Sequence, residues 1–242
     1  MSTSEVVCVL SPHLLVAQAV SAALRSVGMS AETQTWESVV GRGRLTVSRG
    51  KPPEVLVVIV DGVDNPERVR VVERLVHRGD LRAVVVTSAD AAVRWGGLLA
   101  SDAVDVVTVT TSVAELTDVV GVLAAGGSSM DPEQRQALRA SWAADVERRR
   151  QLRAQLRTLS PQQRRVLELL ASGRRVEEVG TLLGVSRGTV RSHVKALRAK
   201  LGAATQLKAV AMFHQAYDEG GGADLVPSPR KESGESAGMS RR

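Results

Sequence analysis

From Leu159 to Gly202 the chain reads LSPQQRRVLELLASGRRVEEVGTLLGVSRGTVRSHVKALRAKLG, three short amphipathic segments punctuated by Gly173, Gly184 and Gly202. Ser160 stands where an N-cap belongs, Pro161 at the first helical position and Gln163 three residues after the cap, which satisfies orphan backbone donors at a helix start. Val166, Leu169 and Leu170 recur at helical spacing in the first segment, as do Val176, Val179 and Leu183 in the second, so each helix has one face to bury. Gly184-Val185-Ser186 is a turn short enough to hold two helices at a fixed angle, with glycine free to take positive φ and Ser186 placed to cap the third segment. In that segment Val190, Val194, Leu197 and Leu201 form a seam, and Arg187, Arg191, Lys195 and Arg198 repeat the spacing about 100° around the helix. This is the outline of a helix-turn-helix unit.

A helix fits the major groove, where Arg and Lys read guanine edges and hydroxyls such as those of Ser186, Thr189 and Ser192 hold phosphates or bases. A charge stripe alone fits a solvated basic face equally well. The caps, the tight turn and the ordered three-helix pattern favour the DNA reader. His193 lies between the basic stripe and the apolar seam, a place for structural or phosphate-proximal duty rather than catalysis or metal binding. A fourth helix is predicted from Thr205 to Tyr217, with Leu207, Val210, Ala211, His214 and Tyr217 along one side. That side serves either a dimer contact or packing onto the first helix.

Charge follows the same division. Residues 131–218 hold 17 Lys and Arg against 8 Asp and Glu, whereas residues 1–130 hold 11 against 14. The basic half suits a polyanionic partner and salt-sensitive binding. Aromatic residues make up 2% of the chain, so no platform exists for stacking single-stranded bases. One cysteine, Cys8, and four scattered histidines exclude an internal disulfide and offer no metal-ligand spacing, and no cofactor is expected. No apolar run approaches the roughly twenty residues that span a bilayer, and MSTSE lacks a basic signal-peptide start. A cytoplasmic protein that does not engage membranes is expected by default.

The N-terminal region alternates β-branched runs (Val6 to Leu10, a weaker one at Ala31 to Thr35, Val55 to Val60, Ala83 to Thr87, Val104 to Val109) with helical patterns near Leu14 to Val27, Pro66 to Val76, Ala91 to Leu99 and Ser112 to Leu123. This βα repetition implies a buried parallel sheet, counted as five strands and five helices, four of them at the patterns just named. Domain 1–126 is thus expected to be α/β. A hinge at Gly126-Gly127-Ser128-Ser129 and a linker helix fill 127–157, and the helix-turn-helix domain spans 158–218. Residues 219–242, rich in Gly, Ser and Pro, read as a disordered tail. Within the linker, Leu138, Trp142, Val146, Leu152, Leu156 and Leu159 approximate a seam interrupted at Arg149. It suits either a dimerising helix or one helix packed on either domain.

Leu159-Ser160-Pro161, Ala171-Ser172-Gly173, Gly184-Val185-Ser186, Thr189-Val190-Arg191-Ser192-His193-Val194 and Lys200-Leu201-Gly202 resemble the C-terminal domain of LuxR/NarL-type bacterial transcription regulators. The resemblance implies an all-α four-helix domain that binds double-stranded DNA, with base contacts from Arg191, Ser192 and Lys195. It further implies a homodimer formed through Ala211, His214 and Tyr217, with RNA polymerase as a further partner. The chain departs from the family pattern at Ser192, Gln163 and Val179-Gly180.

The N-terminal layout is similar to the flavodoxin-like receiver of response regulators, in Ser11-Pro12-His13-Leu14-Leu15-Val16, Val84-Val85-Val86-Thr87-Ser88 and Ser112-Val113-Ala114-Glu115-Leu116. Receiver chemistry needs a carboxylate pair after the first strand, an Asp after the third and a Lys after the fifth. Here the pair falls on Ser11 and Pro12 or on Leu10 and Ser11, and the lysine on Val109 or Thr110. Asp61 lies about two residues past the acceptor place, which Ile59 takes. Thr87 alone keeps its type. The expected protein is therefore a non-enzymatic regulator with a degenerate receiver site at Ser11, Asp61 and Thr87, controlled through ligand or protein binding or dimerisation without aspartyl phosphorylation. The alternatives are a phosphorylation-dependent response regulator, a sigma-factor-like region 4 protein sharing the Gly-Thr-Val-Arg-Ser segment, or an adaptor that keeps the motif unused. No GxGxxG, P-loop or GxSxG supports an enzyme.

Overall fold

The computed structural model describes residues 6–42, 45, 53–60, 62, 65–77 and 81–217. Asp61 and the 219–242 segment expected to be a tail lie outside these residues. The N-terminal half runs β1 (Val6–Ser11), α1 (Leu14–Ser26), β2 (Ser30–Thr35), α2 (Trp36–Arg42), β3 (Val55–Ile59), α3 (Pro66–His77), β4 (Arg82–Thr87), β5 (Val104–Thr108) and α4 (Val113–Ala124). The five strands pair parallel in the order β2-β1-β3-β4-β5. Helices cover both faces, which is why inner strands such as β3, VLVVI, are apolar without alternation. Cys8, Leu10, Leu56, Val58 and Val85 pack toward α2 and α3, while Val7, Val9, Val57 and Val84 pack toward α1 and α4. The edge strand β2, SAETQT, is largely polar, and Thr33 shares a hydrogen bond with Ser21 of α1 at 2.8 Å. Burial, with the Glu32 carboxylate nearby, pushes the Cys8 thiol up to about 12, so it remains a protonated packing group.

The helix expected at Ala91 to Leu99 is instead two 3-10 turns, Ala92–Trp95 and Leu98–Ala100. Gly96 and Gly97 separate them and lie against α5 (Pro132–Arg157), the linker helix. A Cβ on Gly96 would stand 2.5 Å from the Leu138 carbonyl oxygen and 2.6 Å from the Trp142 Cβ, and one on Gly97 would meet the Trp142 ring at 2.8 Å. The apolar periodicity at 91–99 thus serves a docking surface, with Trp95, Leu98 and Leu99 buried beneath it.

The start of α5 is held by a buried ion pair. Arg135 donates to the Asp105 carboxylate of β5 at 2.6 Å, and the Asp105 side chain is fully buried. The guanidinium also donates to the carbonyls of Leu99, Ser101 and Val104, while Ser128 and Ser129 donate to the same carboxylate at 2.7 to 3.0 Å. The Gly126–Ser129 segment expected as a hinge is thereby tied to β5. Asp131 caps α5 by accepting from the Glu133 and Gln134 amides.

The linker seam divides between two cores. Leu138 packs against the sheet-side core, whereas Leu152 and Leu156 enter a C-terminal core with Leu159. Val146 between them is 39% exposed. That C-terminal core gathers α6 (Pro161–Ala171), α7 (Val176–Leu183), α8 (Arg187–Leu201) and α9 (Gln206–Tyr217). In α6 the fully buried residues are Val166 and Leu167, while Leu169 is only partly covered. In α9 the inward positions are Ala209, Met212 and Ala216, so Leu207, left by its spacing between a dimer contact and packing onto the first helix, is 77% exposed.

Asp105→Ala should leave the buried Arg135 with only the exposed Asp102 carboxylate, 3.7 Å away, as counter-ion and destabilise the N-terminal domain by about 3–5 kcal/mol in chemical denaturation, whereas the double variant Asp105→Leu/Arg135→Met should recover most of that loss. Equal losses in both would show that the pair is not the source.

Candidate nucleic-acid interface

The reader is assembled from local signals. Ser160 accepts from the Gln163 amide and the Gln163 side chain accepts from the Ser160 amide, closing a capping box at the start of α6. Glu178 accepts from the Arg175 amide at 2.7 Å at the start of α7. Gly184 ends α7 at φ 66°, ψ 29°, a left-handed corner that favours glycine. Ser186 then caps α8 by accepting from the Thr189 amide at 3.1 Å. Gly180 lets the turn close, since a Cβ there would lie 3.0 Å from the Val185 carbonyl oxygen. With Val190, Val194, Leu197 and Leu201 buried and His193, Ala196 and Arg198 partly covered, the other residues of α8 are turned to solvent.

The four cations of the stripe are in different situations. Arg187 pairs with Glu177 of α7 at 2.8 Å. Arg198 donates from Nε to the Ala203 carbonyl at 3.3 Å and from Nη2 to that of Ala204, bracing the corner between α8 and α9. Arg191 and Lys195 are exposed and make no ion pair or hydrogen bond among the described residues. The side of α8 opposite its buried seam carries Gly188, Ser192, Ala196 and Ala199, thin enough for close backbone approach. The Ser192 hydroxyl donates to the Gly188 carbonyl at 3.1 Å, keeping its lone pairs outward, and Ser186 and Thr189 share a hydroxyl bond at 2.9 Å. Lys200 donates to the Thr158 carbonyl at 3.2 Å, fixing the far end of α8 to the junction of α5 and α6. His193 is half-buried.

Residues 157–213 match the family model of the bacterial regulatory proteins, luxR family. This stretch is similar to the luxR-family domain. None of the curated proteins matches the chain. Among solved structures it is similar to the RcsB response regulator of Salmonella typhimurium, at 18% identity over 88% of this chain and 99% of that chain, with a TM-score of 0.43. A structure of the two-component response regulator RcsB in complex with DNA gives 17% identity, 88% and 99% coverage and a TM-score of 0.43. Full-length FixJ from B. japonicum gives 16%, 89%, 98% and 0.38.

On the closing helix α9 of the luxR-type domain, His214 is exposed and Ala211 half-buried. Tyr217 is half-buried against the core, its ring 4.9 Å from that of Phe213. The end of α9 is further covered by α5, where Arg153 donates to the Ala216 carbonyl at 2.7 Å. Of the residues expected at a dimer contact, Ala211 and His214 therefore share the open side of α9 with Leu207, and Tyr217 does not.

At the C-terminal edge of the sheet, Ser11, Ile59, Thr87 and Thr108 are the last residues of β1, β3, β4 and β5. Pairing of Leu10 with Val58 and of Ile59 with Val86 puts Ile59 at the level of Ser11. Ser11 is buried and accepts from the His13 amide, and Thr87 is fully buried. Thr108 and Thr110 share a 2.6 Å hydroxyl bond, and Val109 is 45% exposed. Beyond them, Ser112 and Glu115 form a capping box on α4, and the hydrogen bonds from the Ser112 backbone and side chain hold the Glu115 carboxyl below its usual range. No local pattern in the sequence marks Asp105, Arg135 or Glu177. Their partners lie 10 to 30 positions away with no helical or strand spacing to reveal them.

Proposed function

We propose that the chain is a transcription regulator that binds duplex DNA as a homodimer, with α8 in the major groove and with control that does not pass through aspartyl phosphorylation. The observation that carries the reading is the pair of unengaged cations, Arg191 and Lys195, on the exposed side of a fully capped helix-turn-helix. Arg and Lys so placed reach guanine edges, and the hydroxyls of Ser186, Thr189 and Ser192 suit phosphates or bases. The parallel sheet beside this domain supports a receiver-type partner over a sigma-factor arrangement, whose core-binding part would be helical.

Independence from phosphorylation is supported by the described strand ends. Ser11, Ile59 and Thr108 offer neither the carboxylates that would hold Mg²⁺ nor a cation for a phosphoryl group, and Asp61 would act without them. The strand ends near Ser11, Thr87 and Thr108 are the place for a ligand or a protein partner, with Thr108 and Thr110 as the hydroxyls reachable from solvent. Dimerisation is supported by the open side of α9, where Leu207 is 77% exposed beside Ala211 and His214.

Arg191→Ala should cost on the order of 1–3 kcal/mol at preferred sites and relax the choice of one base. An unchanged ratio of specific to non-specific affinity would refute base reading by Arg191. Incubation with acetyl phosphate and Mg²⁺ should add no phosphoryl mass and leave duplex affinity unaltered; an adduct on Asp61 that tightens binding would overturn phosphorylation-independent control. Ala211→Arg should shift the full chain toward monomer in sedimentation velocity, and a distribution identical to wild type would remove α9 from the dimer contact.

A further inference from the structure

Resting on the DNA-binding reading above, we propose that Glu177 is a specificity-determining residue that withholds Arg187 from the DNA backbone and so lowers affinity for duplexes of arbitrary sequence. The two side chains join the first and second helices of the reader, Glu177 on the opening turn of α7 and Arg187 as the first residue of α8, at 2.8 Å. Both are about half exposed, at 54% and 56%. An exposed pair of this kind is weak, so a phosphate can take the guanidinium, but only in competition with the carboxylate.

The place of the pair makes this competition matter. In a helix-turn-helix the first helix crosses the phosphate backbone while the N-terminal part of the second meets the bases. Glu177 thus brings a negative charge to where phosphates pass, and it neutralises the cation nearest the start of the reading helix. Arg198, at the other end of the stripe, is occupied by the carbonyls of Ala203 and Ala204. The free charge of the stripe is thereby confined to Arg191 and Lys195, the two cations placed for base edges. Sequence-independent attraction falls, and base contacts carry a larger share of the affinity.

The test is a salt titration. Each phosphate neutralised steepens the dependence of log K on log salt by about 0.9. With the full chain and a random-sequence duplex followed by fluorescence anisotropy, Glu177→Gln should bind several-fold more tightly at low salt, with a slope steeper by about one per bound protomer. In an Arg187→Ala background the same substitution should have little effect on the slope. A slope and affinity unchanged by Glu177→Gln would overturn the proposal, as would an equal steepening with Arg187 absent, since the carboxylate would then act without Arg187. A wild type that binds no duplex at any salt would instead defeat the DNA-binding reading itself. Glu177→Gln keeps the shape of an exposed side chain, and coincident thermal melts confirm that the fold is held constant.

Discussion

The structure turns on one helix shared by two cores. α5 has 26 residues, roughly 39 Å of continuous helix, and neither of its ends is free. At its start Arg135 is fixed by the buried Asp105 carboxylate and three backbone carbonyls. At its end Leu152 and Leu156 are part of the core of the C-terminal helical domain. A buried ion pair is stabilising only when its remaining donors and acceptors are satisfied, and here Ser128 and Ser129 fill the other carboxylate positions. The pair therefore sets where the linker leaves the sheet. The apolar contact of Trp142 with Gly96 and Gly97 then fixes the line of the helix.

The same economy of partners shapes the reader. Its apolar seam is fully used, so the geometry of α8 is set by packing and caps, leaving its charges to act on something outside the domain. Two of the four stripe cations are nonetheless retained for the protein itself, Arg187 by Glu177 and Arg198 by the corner after α8. A basic stripe is thus a poor measure of how much charge a helix offers to DNA. What counts is which cations lack a nearer partner.

The sheet end shows the converse situation. A five-stranded parallel sheet stands with Ser11, Ile59, Thr87 and Thr108 at its strand ends, and Ser112 and Glu115 close the start of α4 on themselves. Apolar packing on both faces is enough to hold such a sheet, because its stability comes from the valine-rich strands and their crossover helices rather than from the edge where chemistry would occur. Fold and site are separable for that reason, and the fold persists with Ser11, Ile59, Thr87 and Thr108 as the described strand ends.

Much of this was legible in order along the chain. The caps at Ser160 and Ser186, the glycine corner at 184, the α8 seam and the β-branched runs are local signals, since each depends on residues within one or two turns. The seam through Leu138, Leu152 and Leu156 was legible too, but not that it splits between two domains. Tertiary structure decided what local spacing cannot encode. The apolar run at 91–99 became two 3-10 turns because Gly96 and Gly97 receive α5, and Leu207 was left exposed because Ala209, Met212 and Ala216 face the core. The pairs Asp105 with Arg135 and Glu177 with Arg187 join residues far apart in sequence, where any of several charges satisfies the same pattern. The amino-acid sequence by itself determined which faces are apolar and where helices begin and end. Only the folded chain, by bringing those faces into contact, decided which charges are spent inside the protein and which remain for a partner.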